Sequence, residues 1–264
     1  MDLADRSWRF IPERAHPGAM NMALDATAAD TVGTGGPGTI RVYQWRPSTL
    51  SLGYGQATET IDWDYCESAG IDVTRRPTGG GGIYHDEVGD ISYSIIAPAD
   101  ELPGDLMETY ELLLEPVFTA LDRMGVSATL AREAQPALHQ PACYLREIHP
   151  AHDVVVDGRK LSGNAQYRRK DAIIQHGSIT YAREVDRHLA VFSDPGVSAE
   201  AFRDRVTSIR ERVGIEREAA IDTLETAFRE WADPEDGNWT DAERQVARTK
   251  VDEQFGAEAW NRRV

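Results

Sequence analysis

The chain has 264 residues, 41% of them hydrophobic and 27% charged, with a formal net charge of −16. That is the composition of a folded, soluble protein able to bury a sizeable core, and its acidity excludes general nucleic-acid binding, which needs a basic footprint. No run reaches the roughly 18 apolar residues of a membrane span, and Met1 to Arg6 lacks the features of a secretory signal, so the cytoplasm is the expected location and no membrane partner is expected. The carboxylate excess reads as a solvated, halophile-like surface.

In chain order, residues 7–11 alternate as a strand does, and a helix is expected from Asn21-Met22-Ala23-Leu24-Asp25 through the following alanines to the glycines at 33–38. Thr39 to Trp45 and Thr49 to Tyr54 read as strands separated by Arg46-Pro47-Ser48. A helix over about 61–69 stops at Gly70, and Ile71 to Arg75 leads as a strand into a glycine run. Ile91 to Ile96 alternates again. Asp105 to Met124 carries helical spacing closed by Gly125, a strand follows at 126–130, and an irregular stretch runs to about 151. Asp153 to Leu161 reads as a hairpin with an Asp157-Gly158 turn, and Ala172 to Tyr181 as a strand. From about 198 the pattern is helical, broken at 233–238. The expected fold class is α+β, in one domain over 1–264 with a helical C-terminal segment.

Two cysteines, Cys66 and Cys143, make no disulfide framework, and neither has zinc-ligand spacing, so no metal site is expected. Cys66 reads as a small core residue, whereas Cys143 sits in the irregular, polar stretch.

Three features concentrate unusual chemistry. Only three lysines occur, Lys160, Lys170 and Lys250, against 25 arginines. Lys160 lies in Gly158-Arg159-Lys160-Leu161-Ser162-Gly163-Asn164-Ala165-Gln166, a strand-like run breaking into a glycine turn. Arginine is a rigid, permanently charged fork, and lysine is a compact donor whose pKa burial can lower, so a retained lysine points to chemistry. The second feature is Arg75-Arg76-Pro77-Thr78-Gly79-Gly80-Gly81-Gly82-Ile83-Tyr84-His85-Asp86. Four glycines suit a backbone that must approach a ligand closely, and the run is neither an NTPase phosphate loop nor a dinucleotide fingerprint. The third is Gln175-His176-Gly177-Ser178-Ile179, where a lone histidine would ordinarily be structural.

Together these segments resemble the lipoate–protein ligases and related octanoyltransferases of the biotin/lipoate protein ligase superfamily. Asn21-Met22-Ala23-Leu24-Asp25, Leu52-Gly53-Tyr54-Gly55-Gln56 and Ala259-Trp260-Asn261 add support along nearly the whole chain. The resemblance implies a biotin/lipoyl-ligase, class II aminoacyl-tRNA-synthetase-like catalytic fold, a mixed sheet flanked by helices. It also implies an enzyme attaching a lipoyl or octanoyl group to a lysine of lipoyl domains, those of 2-oxoacid dehydrogenase E2 subunits or the glycine-cleavage H protein. The Gly-Arg-Gly-Arg signature of biotin ligases is missing.

By the same resemblance Gly79, Gly80, Gly81 and Gly82 line an acyl tunnel, with Arg75, Arg76 and Thr78 beside them. Lys160 stabilises the transition-state oxyanion, Gly163, Asn164 and Ala165 offer donors from a turn, His85 and Asp86 complete the wall, and His176 orients the loops. Cys143 marks a branch point. One octanoyltransferase branch carries a cysteine upstream of its Gly-Arg-Lys motif and forms an acyl thioester from acyl carrier protein, and a thiol beside an ammonium gains nucleophilicity. The ATP-dependent ligases need no cysteine. They activate lipoate with ATP and Mg²⁺, in some cases with a separate accessory subunit, and the Gly-Gly-Gly-Gly-Ile-Tyr-His-Asp wording resembles theirs. A thioester transferase with no tightly bound cofactor is therefore the first expectation, a ligase the second, and a non-catalytic acyl-binding module the third.

Overall fold

The computed structural model describes residues 3, 6–150 and 152–263. Strand β1 (Trp8–His16) runs past residue 11 because an irregularity between Ile11 and Arg14 lets it stay paired with the next strand. Helix α1 (Gly18–Gly33) is alanine-rich and buried on several sides. Asn21 and Asp25, one turn apart, both face β2 (Gly38–Trp45), where Arg41 donates to the Asp25 carboxylate at 2.8 Å and to the Asn21 carbonyl at 2.8 Å. Strand β3 (Thr49–Leu52) ends before Gly53, earlier than expected. Helix α2 (Trp63–Ser68) is capped by the Asp62 carboxylate, and β4 (Asp72–Arg75) enters the glycine run. A short strand beyond that run, β5 (Ile83–His85), was hidden in the sequence by its three-residue length.

Strand β6 (Asp90–Pro98) and helix α3 (Leu106–Arg123) follow, α3 presenting one apolar stripe to the core. The strand expected at 126–130 shrinks to β7 (Thr129–Leu130). In the irregular stretch, Cys143–Leu145 form a single 3₁₀ turn. Strand β8 (Asp153–Val156) turns through Asp157 and Gly158, with φ of 49° and 75°, into β9 (Arg159–Arg168). The glycine turn expected at Gly163 is absent: Gly163, Asn164 and Ala165 lie inside β9, paired with β10 (Ala172–Thr180). Helices α4 (Val185–Ala190), α5 (Ala199–Arg205), α6 (Ile209–Val213) and α7 (Arg217–Ala232) follow. The break at 233–238 holds a two-residue strand, β11 (Glu235–Asp236), and α8 (Asp241–Lys250), a π-helical turn Val251–Phe255 and α9 (Glu258–Asn261) complete the order.

Eight strands form one mixed sheet in the order β11-β1-β2-β6-β10-β9-β8-β7, and β4-β3-β5 form a second, smaller one. Helices α3 and α7 cover one face of the large sheet over Phe10, Tyr93, Ile95, Leu114 and Phe228, while α1 and α8 cover the other. A third apolar cluster joins the small sheet to α2, α4, α5 and the turn at Cys143. This is the mixed sheet flanked by helices that the resemblance implies. No helix among the described residues is long and apolar enough to cross a membrane.

The C-terminal segment is tied to the N-terminal half by two arginines. Arg75, fully buried, donates to the carbonyls of Gly53, Gln56, Asn261 and Arg263 at 2.7–3.0 Å, which gives Ala259-Trp260-Asn261 its task of closing over β4. Arg9 meets Glu243 of α8 through two hydrogen bonds of 2.6 and 2.9 Å, and Glu243 also completes a capping box with Thr240. Burial alone would raise the Glu243 pKa, but the bonds from Arg9 and Thr240 outweigh it and hold the group at about 2. A depressed carboxyl pKa stabilises the fold above its unfolded value and loses that contribution as pH falls through the folded value. Glu243→Gln is therefore expected to cost on the order of 1 kcal/mol at pH 7 by chemical denaturation, solvent screening allowed for, with the difference from wild type shrinking toward pH 2.

Candidate active site

The β8–β9 hairpin builds the centre of the site. Its register shifts between Val154 and Val155: Val155 faces Lys160, but Val154 faces Ser162, leaving Leu161 as an extra residue on β9. Leu161 is buried in the core under α3, and Lys160 and Gly163, three residues apart, both border one cavity. Asp153, paired with Gly163, comes to the same face.

Lys160 is 3% exposed, and its Nζ lies 2.8 Å from Asp153 Oδ1, 3.3 Å from the Cys143 carbonyl and 3.8 Å from Cys143 Sγ. The contact with Asp153 is an ion pair by distance, although Oδ1 takes no well-directed hydrogen bond from it. Burial would lower the lysine pKa, the behaviour expected from the sequence, but the charges of Cys143 and Asp153 overcome burial and raise it above the ordinary value. Lys160 is therefore protonated at neutral pH. The Thr207 amide donates to its backbone carbonyl at 2.9 Å and steadies that stretch of β9.

The glycine run holds Cys143 against this cation. Gly82 N donates to the Pro141 carbonyl at 2.6 Å, and Cys143 N donates to the Gly82 carbonyl at 2.7 Å. A Cβ on Gly81 would lie 2.6 Å from the Pro141 carbonyl oxygen, and one on Gly53 would lie 1.9 Å from that of Gly80, so three backbone segments touch where no side chain fits. Arg76, 4% exposed, donates from Nη2 to the carbonyls of Gly79 and Gly81 and from Nη1 to that of Ser51, at 2.7–2.8 Å. Burial lowers its pKa to about 10, which leaves it protonated at neutral pH.

The cavity has a volume of about 380 Å³. It runs from Cys143, Asp153, Lys160 and Gly163 to Met22, Tyr43 and Trp45. Gly163, Ser178, Ser92 and Tyr43 are successive cross-strand neighbours, so the cavity crosses three strand spacings, about 14 Å.

Of the residues singled out from the sequence, the cavity collects Arg76, Thr78, Gly79, Gly80, His85, Cys143, Lys160, Gly163, Asn164, Ala165 and His176. His85 Nε2 is 2.9 Å from Ser51 Oγ and its Nδ1 is 2.5 Å from Asp90 Oδ2. His176 Nε2 meets Thr78 Oγ1 at 3.1 Å; burial, helped by Arg76, lowers its pKa to about 3 and keeps it neutral. The Asn164 side chain is not a free donor, since its Nδ2 bonds the His152 carbonyl and its Oδ1 accepts from Tyr93.

Four residues stand away from the cavity wall. Arg75 is the buried clamp already described, and Gly81 and Gly82 pack against 141–143. Asp86 accepts from the amides of Val88 and Gly89 and from the Tyr84 hydroxyl, shaping the turn between β5 and β6. Sequence reasoning missed Asp153, read only as the start of a strand, and also Ser51, Tyr110, Arg146, His149 and His152. The hairpin pattern carried a signal for Asp153, because an Asp-Gly turn places it on the same face as Lys160. For the others, chain folding rather than spacing brings them in. Among the described residues, no group of His, Cys, Asp and Glu is arranged to hold a metal ion.

With this geometry in hand, comparison with known proteins gives a consistent result. The family model of the lipoyl protein ligase A/B catalytic domain matches residues 17–230. An octanoyltransferase LipM of Symbiobacterium thermophilum is 32% identical over 98% of this chain and 99% of its own. The octanoyltransferase LipM of Bacillus subtilis is 30% identical over 86% of each. Among solved structures, a lipoate-protein ligase A bound with ATP superposes with a TM-score of 0.80 at 24% identity, covering 97% of this chain and 98% of that one. The bipartite lipoate protein ligase of Thermoplasma acidophilum superposes with a TM-score of 0.79 at 24% identity, covering 97% and 96%. The chain belongs to the lipoyl protein ligase A/B catalytic-domain family and is an enzyme of the octanoyltransferase and lipoate-ligase kind.

Proposed function

We propose that the protein transfers an octanoyl or lipoyl group to a lysine of a lipoyl domain, from E2 or H-protein type acceptors, through a thioester on Cys143. The observation that carries this reading is the 3.8 Å separation of Cys143 Sγ and Lys160 Nζ at one end of a 380 Å³ cavity, in a chain aligned end to end with octanoyltransferases. An ATP-dependent ligase, with Mg²⁺ and an accessory subunit, has no use for a thiol placed against the ammonium.

In the first half-reaction the Cys143 thiolate attacks the thioester of the donor, for which acyl carrier protein is the natural candidate. The bond from the acyl carbon to the donor sulfur breaks as the bond to Sγ forms, and the proton lost by Cys143 ends on the departing thiol. Lys160 favours the thiolate and then the oxyanion. It does so as an ammonium paired with Asp153. The acyl chain lies along the cavity toward Tyr43 and Trp45. Gly79 and Gly80 expose backbone beside it, and Arg76, Thr78, His85 and His176 hold the wall. In the second half-reaction the acceptor lysine, as the free amine, attacks the Cys143 thioester; the bond from the acyl carbon to Sγ breaks as the amide forms, and the proton lost by nitrogen ends on the Cys143 thiol.

Incubation with an octanoyl carrier protein, without ATP, is expected to add one octanoyl group to the intact protein. Cys143→Ala is expected to abolish the adduct and to lower transfer by on the order of 10³-fold or more. ATP-dependent lipoylation retained in that variant would overturn the thioester reading. Lys160→Arg keeps the charge but loses the compact head, and is expected to reduce kcat by about 10²-fold with the circular dichroism spectrum unchanged. Asp153→Asn removes one of the two anions that raise the lysine pKa, so the ammonium is lost at lower pH than in wild type. The alkaline limb of the transfer profile is expected to move to lower pH in that variant, read from initial rates between pH 6 and pH 10.

A further inference from the structure

Gln166 closes the motif that begins at Gly158 and has no part in the chemistry set out above. Arg168 Nη1 donates to its Oε1 at 2.9 Å, which fixes which way round the amide lies. The atom left over is the donor, Nε2. Among the described residues it is buried and meets no acceptor. A buried donor without a partner is costly, and such a group beside a cavity calls for a carbonyl to fill it.

This donor stands where the cavity has a second arm. Strand β8 begins at Asp153, opposite Gly163, and beyond that point β9 pairs only with β10 among the described residues. The cavity reaches this open edge and is bordered there by Tyr110, His152, Asn164 and Gln166, apart from the apolar end at Tyr43 and Trp45. An open strand edge suits an extended chain that carries amides. Tyr110 and Asn164 are only 5% and 6% exposed, so the arm admits a slender chain and not the folded surface of an acceptor domain.

Distance selects the occupant. A Cβ on Gly163 would lie 3.6 Å from Cys143 Sγ. Gln166 follows three residues further along extended β9, about 10 Å away. In a thiol arm built of cysteamine and β-alanine, the first amide carbonyl lies four bonds from sulfur and the second eight, about 5 and 10 Å in an extended chain. With that sulfur beside Sγ during attack, the second carbonyl comes level with Gln166.

We propose that the polar arm of the cavity binds the pantetheine-type arm of the acyl donor, with Gln166 Nε2 donating to its second amide carbonyl. The site rests on the thioester reading and deepens it. The acyl chain runs one way from Cys143 and the donor arm the other, so one cavity holds both halves of the thioester across the nucleophile. Gln166 positions the donor and selects it, and takes no part in bond making.

The test uses the full chain and two octanoyl thioesters, one of pantetheine, with both amides, and one of N-acetylcysteamine, with the first amide alone. Octanoylation of Cys143 is followed by the mass of the intact protein, and discharge of the adduct to a lipoyl domain is timed separately. Wild type is expected to favour the pantetheine thioester by about tenfold in kcat/KM. Gln166→Met has no donor, and Gln166→Glu keeps the shape and the bond from Arg168 but can only accept; in both the preference is expected to fall below about threefold. A wild type that does not favour pantetheine, a preference preserved in both variants, an equal loss with both thioesters, or a deficit confined to discharge would overturn the site for the donor arm and leave the thioester reading standing. A wild-type protein that no octanoyl donor, carrier protein included, can octanoylate would overturn the thioester reading and this inference with it.

Discussion

A lysine at 3% exposure stays protonated only where anions replace its lost hydration. Asp153 provides that replacement at 2.8 Å, and the rest of the centre follows from it. Lys160 thereby presents a cation to Cys143 at one end of the cavity. The pair with Asp153 also sets the side-chain direction of Lys160.

The glycine run serves this centre more by packing than by exposure. Half of it edges the cavity, and the other half lets the chain at 141–143 approach backbone to backbone, so that the position of Cys143 is set by hydrogen bonds and not by side-chain fit. Two buried guanidiniums stiffen the arrangement. Neither Arg75 nor Arg76 has a carboxylate partner among the described residues; main-chain carbonyls accept from both. Of the two, Arg76 borders the cavity and brings its positive charge there.

Much of the fold was legible in the sequence because its elements are strongly periodic. Helix α3 with its apolar stripe, the Asp-Gly hairpin and the alternating strand β10 sit close to where spacing places them. The misreadings share one physical cause, that pairing overrides local propensity. Gly163 reads as a turn, yet strands on both sides of β9 hold it extended. Ile83 to His85 is too short to show a period, and β11 exists only because β1 offers it an edge. At the site, the hairpin pattern carries Asp153 to the face of Lys160, whereas the histidines at 149 and 152 lie in a stretch without regular pattern. Asp86 illustrates the reverse case. Its place beside His85 suggests the pocket, but alternation along β5 turns it outward into a turn.

The surplus residue in β9 has a consequence for how this hairpin can vary. An amine and a glycine three positions apart would ordinarily point to opposite sides of a sheet, and they share one side here because Leu161 is spent on the other. The distance that matters along this strand is thus a count and not a composition. Solvent-facing residues of the hairpin are free to drift, but an insertion or deletion of one residue between positions 160 and 163 would exchange interior for exterior, sending the ammonium into the hydrocarbon layer and a leucine into the reaction chamber.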